Sequence, residues 1–132
     1  MPHHVISRVV DALNRHRKSI NGSRILILGV AYKPNVSDTR ESPALEIMHL
    51  LRERGAELSY HDPHVPELTV TDVHFKSSGL HADTLSAQDC VLILTDHSAV
   101  DYMLVAQTAH VIVDTRNALK NVPFGREKIV RL

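Results

Sequence analysis

The chain alternates short apolar runs with longer segments that are apolar on one side only. Continuous apolar runs are typical of strands that are covered on both faces within a parallel sheet. Such strands are predicted at Ile25–Leu28, Cys90–Leu94 and Val111–Val113. Leu58–Tyr60 is a further candidate strand, ended by a turn at Asp62-Pro63. Residues 64–82 are mostly polar, and only Val70, Val73 and Phe75 suggest a strand there.

Three amphipathic segments predict helices between these strands. Residues 5–18 carry apolar side chains at helical spacing, and a basic stretch at their end suits the negative end of a helix dipole. Ser42 and Pro43 are typical of a helix N-cap and first position, and Gly55 is placed to end that helix. The apolar spacing in residues 100–104 predicts a third helix.

The order strand, helix, strand, helix, strand predicts an α/β fold. We expect a three-layer αβα, Rossmann-like, doubly wound sheet that is mostly parallel and is preceded by the amphipathic helix. In such an open sheet, ligands bind beyond the carboxyl ends of the strands.

Composition and charge narrow the classes of function. The 132 residues suit one domain, and a hydrophobic fraction of 43% is enough to bury a core. Fifteen basic and fifteen acidic side chains give a formal net charge of zero. Nucleic-acid and membrane-surface binders usually carry a clear basic excess, so neither partner is expected. Any anion must therefore be held by a local site.

Cysteine content bears on the compartment. Cys90 is the only cysteine, which excludes an intrachain disulfide and fits a reducing environment. The sequence shows no signal-peptide pattern and no apolar run of membrane-spanning length, so a cytoplasmic location is expected. Because Cys90 lies inside an apolar run, we predict a buried thiol with a raised pKa and no nucleophilic role.

The polar residues that follow the predicted strands should meet at one edge of the sheet. They are Tyr32, Lys33, Asp38, Arg40, His61, Asp62, Thr95, Asp96, His97, Asp114 and Arg116. Polar side chains gather at this edge far more than at the other, which indicates a binding site.

Three cations stand out in this set, namely Lys33, Arg40 and Arg116. With the N–H groups at the start of the helix after Ser42, they could hold a diphosphate, since arginine gives bidentate contacts and lysine a point charge. The alternative is that they are solvated charges paired with nearby acids. Exposed ion pairs of that kind are common and weak. The candidate acids are Asp38, Glu41 and Asp114.

Two other doubly wound classes do not fit the first loop. A dinucleotide site needs several glycines between the first strand and its helix, but Gly29 is the only one before Ser42. A receiver domain would need an acidic pair after the first strand, where Tyr32 and Lys33 stand instead.

The remaining polar groups admit catalytic and structural interpretations. His61 and His64 are close in sequence, but too few further ligands converge to predict a metal site. Asp96 and His97 could form an acid–base pair, although a capping role for Asp96 and packing of His97 at the domain edge are favoured. Asp62 is expected to cap its own turn.

Two segments of the chain resemble a known family. Leu28–Lys33 and Asp38–Pro43 are similar to the signature of the C-terminal domain of the UDP-glucose/GDP-mannose dehydrogenases. Tyr60–Pro63, Thr95–His97 and Val113–Asn117 agree with it in order and spacing. The form of the first two segments looks closest to the branch that oxidises UDP-N-acetylhexosamines.

The resemblance implies a role in an NAD-dependent, two-step oxidation of a sugar C6 alcohol to a carboxylate, as in the synthesis of polysaccharide precursors. By position, Tyr32, Lys33 and Arg116 would bind the UDP-sugar substrate, and Arg40 would reach toward the NAD cofactor. The family holds NAD on an N-terminal Rossmann domain and uses a catalytic cysteine, but this sequence contains neither the NAD domain nor the catalytic-cysteine segment. No catalytic residue is therefore expected among these 132 residues.

The same resemblance implies a domain organisation. Residues 1–20 would be the end of a central helical linker, and residues 21–132 the UDP-sugar-binding C-terminal domain. The expected partners are the UDP-sugar, the NAD-binding and central domains of the same enzyme, and further copies in a homo-oligomer. The isolated chain is then expected to be inactive. The alternative is a stand-alone, non-catalytic nucleotide-sugar-binding or regulatory module.

Overall fold

The structure is a computed structural model that describes residues 2–40 and 42–132. Within them, the α-helices are α1 (Pro2–Asn14), α2 (Pro43–Glu53), α3 (Ala82–Ser86) and α4 (Tyr102–Thr108). The strands are β1 (Arg24–Leu28), β2 (Glu57–His61), β3 (Glu67–Val70), β4 (Val73–Lys76), β5 (Cys90–Ile93), β6 (Ile112–Asp114) and β7 (Ile129–Arg131). A short 3₁₀ helix, Arg126–Lys128, leads into β7.

Five strands form one parallel sheet in the order β2-β1-β5-β6-β7. The chain passes outward from β1 to β2 and then returns to place β5 on the other side of β1. This reversal makes a topological switch point between β1 and β5, where the loops after the two strands diverge. All five carboxyl ends lie at one edge, as the sequence predicted.

The apolar runs are continuous because both faces of the sheet are covered. Along β1, Ile25 and Ile27 pack in one core with α1 and α2, whereas Leu26 and Leu28 pack in a second core with α4. Successive side chains of a strand point to opposite faces, so a strand between two helical layers needs apolar residues at every position. The predicted three-layer αβα fold is confirmed.

The predicted start and end of α2 were correct, whereas the predicted bounds of α1 were displaced along the chain. The Ser42 side chain accepts from the N–H of Ala44 at 3.2 Å, Pro43 begins the helix, and Gly55 follows it with a φ of 89°. Helix α1 spans Pro2–Asn14 instead of residues 5–18, so the basic stretch lies in the turn beyond it. Because α1 buries its apolar side against the sheet, it shares one core with α2. A domain boundary at residue 20 stays a prediction.

Residues 64–82 form more structure than their polar composition suggested. Strands β3 and β4 pair in an antiparallel hairpin around Thr71 and Asp72, which both have positive φ angles, 46° and 66°. Two positive φ angles are typical of the tight turns that join hairpin strands. The short elements α3 and β7 were not predicted, since each buries a single apolar residue, Leu85 and Val130 respectively.

Gly29 ends β1 at a point of close backbone approach. Its φ is 83°, and its N–H donates to the carbonyl oxygen of His61 at 2.9 Å. A Cβ at this position would lie 2.6 Å from the Cβ of Thr95, which follows β5. Glycine therefore lets the loops after β1 and β5 start side by side.

Replacing Gly29 by alanine should destabilise the fold by roughly 2–5 kcal/mol, because strain at positive φ adds to overpacking. Gly22→Ala is the matched control, since Gly22 also has a φ of 83° but a Cβ there would meet nothing within 4 Å. It should cost only about 1–2 kcal/mol. Urea denaturation of both variants measures the two values, and equal losses would contradict the close-approach argument.

Candidate functional site

Three clefts among the described residues adjoin along the carboxyl edge of the sheet. The first has a volume of about 550 Å³ and lies over the loop after β1. Its lining residues are Tyr32, Lys33, Val36, Asp38 and Arg40. We call it the Lys33 cleft.

The second and third clefts continue toward β7. The second, about 300 Å³, is lined by Tyr32, Pro34, Leu94, Thr95, Asp96 and Arg116. The third, about 340 Å³, is lined by Asp114, Thr115, Arg116, Asn117, Arg131 and Leu132. Tyr32 belongs to the first two and Arg116 to the last two, so the clefts form one continuous concave surface. We call the second one the Arg116 cleft.

The structure brings the sequence-predicted binding residues together on this surface. Tyr32, Lys33 and Arg40 line the first cleft, and Arg116 faces Tyr32 across the second. The Lys33 ammonium lies 5.8 Å from the centre of the Tyr32 ring, within the range of a cation–π contact. Sequence reasoning missed Val36, whose signal was an apolar residue in an otherwise polar loop. Tyr32 and Val36 are 45% and 41% exposed and give the cleft an apolar wall.

Arg40 is the one of the three predicted cations that forms an ion pair with a described residue. Its Nε and Nη2 atoms donate to the two carboxylate oxygens of Asp38, each at 3.1 Å. These side-chain bonds, joined by one from the Arg40 backbone N–H, hold the pKa of Asp38 below its ordinary value. The Arg40 side chain remains 87% exposed. Glu41, the other acid considered for these cations, lies outside the described residues.

Asp114 does not pair with the Arg116 side chain. Its buried carboxylate accepts from the backbone N–H groups of Arg116, Ala118 and Leu119, all within 3.1 Å. It therefore folds the loop after β6 back onto the strand end. The Arg116 Nε donates to the carbonyl oxygen of Leu94 at 3.0 Å. The other N–H groups of this guanidinium make no hydrogen bond to a residue that the structure describes, and the side chain lines the second and third clefts.

Asp62 lies at the end of β2 and connects three loops. One carboxylate oxygen accepts from the N–H groups of Val30 and Ala31, at 2.9 and 3.1 Å, and from His97 Nε2 at 2.9 Å. The other accepts from the N–H of His64 at 2.8 Å, which confirms the expected turn cap. Burial alone would raise the pKa of Asp62, but the bonds from Val30, His64 and His97 outweigh it and lower the pKa below the ordinary value.

The expected position of His97 was wrong. We predicted packing at the domain edge, but the side chain is completely buried and bonded to Asp62. Its partner lies 35 residues away in sequence, so nothing local to Asp96 and His97 signals the contact. Beside it, the Thr95 hydroxyl donates to the carbonyl oxygen of Ala31 at 2.8 Å. The ends of β2 and β5 thus both bind the start of the loop after β1.

Other candidate groups contribute no chemistry at this edge. Cys90 is completely buried, and burial, with the nearby Asp89 charge, raises the pKa of its thiol to about 12, as predicted. Among residues 2–40 and 42–132, no three potential metal ligands converge. None of the described helices has the length and apolar character needed to cross a membrane.

The Asp62 carboxylate should make stability depend on pH. Because its pKa is lowered in the folded state, its contribution is present above the unfolded value of about 3.9 and is lost as pH falls through the folded value. Urea midpoints between pH 3 and pH 7 should fall more steeply on acidification for the wild type than for Asp62→Asn. At pH 7 the variant should already be roughly 2–3 kcal/mol less stable. Parallel pH profiles for the two proteins would contradict this assignment.

The geometry defines an α/β domain whose carboxyl edge carries a concave surface lined by Lys33, Arg40 and Arg116. Comparison with known proteins identifies the family. The model of the UDP-glucose/GDP-mannose dehydrogenase family, UDP binding domain, matches residues 26–121. The chain belongs to this family, and it is the UDP-binding C-terminal domain of such an enzyme, as the sequence predicted.

The relatives and solved structures agree on this placement. The chain is 33% identical over 129 residues to a UDP-N-acetyl-D-mannosamine dehydrogenase of Methanococcus maripaludis, with 92% of this chain and 28% of that protein covered. It is 34% identical over 118 residues to the UDP-glucose 6-dehydrogenase TuaD of Bacillus subtilis, with 83% and 25% covered. The UDP-D-ManNAc dehydrogenase structure from Pyrococcus horikoshii superimposes with a TM-score of 0.76 and 25% identity, covering 98% of this chain and 29% of that one. The chain thus spans between a quarter and a third of the length of these relatives.

Proposed function

We propose that this domain binds the UDP-sugar substrate of an NAD-dependent UDP-sugar 6-dehydrogenase, with the diphosphate and sugar held across the Lys33 and Arg116 clefts. The observation that carries the proposal is the meeting of Tyr32, Lys33 and Arg116 on one concave surface. These residues follow two different strands, and the Lys33 and Arg116 side chains are exposed and form no ion pair with a described residue.

The two cations suit different parts of a nucleotide diphosphate. Arg116 is fixed through Nε to Leu94, so its remaining N–H groups form a preoriented fork for two oxygens of one anion. Lys33 adds a point charge beside the Tyr32 ring. Tyr32 and Val36 offer the apolar surface against which a base or a sugar ring can pack.

Arg40 is proposed to face the cofactor. Asp38 occupies Nε and Nη2, which leaves Nη1 and the outer edge of the guanidinium for a pyrophosphate oxygen. The loop after β1 lacks the glycines of a dinucleotide site, so most NAD contacts would come from another domain. When bound, NAD supplies the hydride acceptor for oxidation of the sugar C6 alcohol. This chain contributes one exposed, oriented cation to that side of the active site.

The remaining parts of the proposal concern the whole enzyme. Residues 1–20 would continue a central helical segment, and residues 21–132 would close over the substrate. A nucleophilic cysteine would come from elsewhere, since burial keeps the Cys90 thiol from reacting. We propose a cytoplasmic enzyme that works as a homo-oligomer, with its NAD-binding and central domains as the immediate partners of this domain.

Lys33→Ala should weaken binding of UDP-N-acetylglucosamine to this chain about tenfold, because one charged contact to the diphosphate is lost. Isothermal titration calorimetry measures the change, with UDP-glucose, GDP-mannose and NAD titrated in parallel. Lys18→Ala is the control, since Lys18 pairs with Asp89 at the opposite, amino edge of the sheet. An unchanged affinity for Lys33→Ala, or binding of NAD without any UDP-sugar response, would overturn the proposal.

Arg40→Ala should leave UDP-sugar affinity of this chain within about twofold of the wild type, since a tenfold loss would require about 1.4 kcal/mol of direct contact. Calorimetry of Arg40→Ala and Lys33→Ala under the same conditions separates the two roles. If both variants lose affinity equally, Arg40 belongs to the substrate site and the assignment to the cofactor side is wrong.

A further inference from the structure

The loop after β1 carries most of the proposed site but forms no helix or strand. It runs from Val30 to Arg40, and we call it the site loop. Its internal backbone bonding includes one long closure, from the N–H of Tyr32 to the carbonyl oxygen of Asp38. The direction in which Tyr32 and Lys33 point must therefore be set mainly by contacts with the rest of the domain.

His97 makes such a contact through both ring nitrogens. The backbone N–H of Asn35 donates to Nδ1 at 2.8 Å, and Nε2 lies 2.9 Å from the Asp62 carboxylate. A nitrogen that accepts from an N–H carries no proton, so the ring proton is on Nε2 and is donated to Asp62. The imidazole thus joins the end of β2 to the middle of the site loop. A single tautomer, with the proton on Nε2, makes both hydrogen bonds.

Asn35 is held further by the residue next to His97. Its side-chain amide donates to the Ser98 hydroxyl at 3.0 Å, and its amide oxygen accepts from the Ser98 N–H at 2.8 Å. Asn35 has a φ of 61°, a conformation in which asparagine is enriched among non-glycine residues. The loop therefore turns sharply two residues after Lys33, at a point that His97 and Ser98, in the loop after β5, hold through three hydrogen bonds.

The surroundings of His97 leave little room for water to take its place. The side chain is completely buried, and the His64 ring packs on it with ring centres 4.8 Å apart. If His97 changed, the Asn35 N–H would lose its acceptor inside the protein. Because Asn35 itself is exposed, its freed N–H would bond to solvent instead, and the His97 ring would no longer tie this part of the loop to the domain.

We infer that His97 is a positioning residue for nucleotide-sugar binding, which fixes the site loop through Asn35 so that Tyr32 and Lys33 face the cleft. The effect on ligand affinity rests on the proposed function, whereas the effect on the loop does not. His97 touches no ligand in this account and acts through Asn35 alone. A space-filling role in the core would make no distinction between its two ring nitrogens.

Two substitutions of His97 distinguish the roles of its two ring nitrogens. The side-chain amide of His97→Asn reaches the position of Nδ1, so it can accept from Asn35 but cannot reach Asp62. The longer amide of His97→Gln reaches the position of Nε2, so it can donate to Asp62 but leaves the Asn35 N–H unbonded. Each variant loses one of the two hydrogen bonds of the buried ring. The two should therefore disturb the core to a similar extent, and each serves as a control for the other.

The readouts are amide hydrogen exchange at Asn35, followed by NMR, and the affinity for UDP-N-acetylglucosamine, followed by calorimetry. His97→Gln should speed exchange at Asn35 by about tenfold or more and weaken affinity by about tenfold, the change expected for loss of one hydrogen bond. His97→Asn should keep both within about threefold of the wild type. Equal acceleration in the two variants, or none in His97→Gln, would overturn the inference.

A measurement on the wild-type protein covers the case in which neither variant folds. The ¹⁵N spectrum of His97 should show an unprotonated Nδ1 and a protonated Nε2, with a coupling across the hydrogen bond from the Asn35 N–H. The opposite tautomer would overturn the inference. If the wild-type chain binds no UDP-sugar, the proposed function fails, and exchange and tautomer still decide the role of His97 in the loop.

Discussion

The site depends on one buried charge, the carboxylate of Asp62. A carboxylate removed from water is costly unless hydrogen bonds replace its hydration, and here four donors do so. Those donors belong to the loop after β1, the turn after β2 and the loop after β5. Satisfying this charge therefore forces three strand ends into one arrangement. The close approach of Gly29 and Thr95 reinforces this arrangement, because no side chain at Gly29 separates the loops after β1 and β5.

The same principle explains how a chain of zero net charge can expose cations together at one edge of its sheet. The buried carboxylates of Asp62 and Asp114 accept hydrogen bonds from backbone N–H groups, while Lys33, after β1, and Arg116, after β6, stay at the surface. These two acids therefore do not pair with the exposed cations of the edge. Asp38 differs from them, since it remains exposed and orients Arg40, and Asp96 is only half-buried in the lining of the Arg116 cleft.

Much of this arrangement could be predicted from local sequence. Apolar runs located β1, β5 and β6, and Ser42 with Pro43 marked the start of α2, because each signal depends on neighbouring residues. The rule that ligands bind beyond the carboxyl ends of parallel strands then placed Lys33, Arg40 and Arg116 at one edge. Strand β7 was not predicted because it buries a single apolar residue, Val130, and so contains no continuous apolar run of the kind that marked β6.

What could not be predicted is which partner each polar side chain takes. Asp114 and Arg116 are close in sequence, yet the acid binds backbone and the arginine binds the carbonyl oxygen of Leu94. His97 finds Asp62 and Asn35 over separations of 35 and 62 residues. Hydrogen bonds of this kind depend on the packing of the whole domain, so the local sequence pattern does not predict them.

The most direct test of the account is to map where a nucleotide sugar touches the domain. Backbone NMR shifts recorded during a titration with UDP-N-acetylglucosamine should change in residues 30–40, 95–98 and 114–117, which surround the adjoining clefts. A cleft of about 410 Å³ at the opposite edge, lined by residues that include Lys18, Ser19 and Arg54, should show no change. Shifts confined to that second region would contradict the claim that Asp62 organises a nucleotide-sugar site at the carboxyl edge.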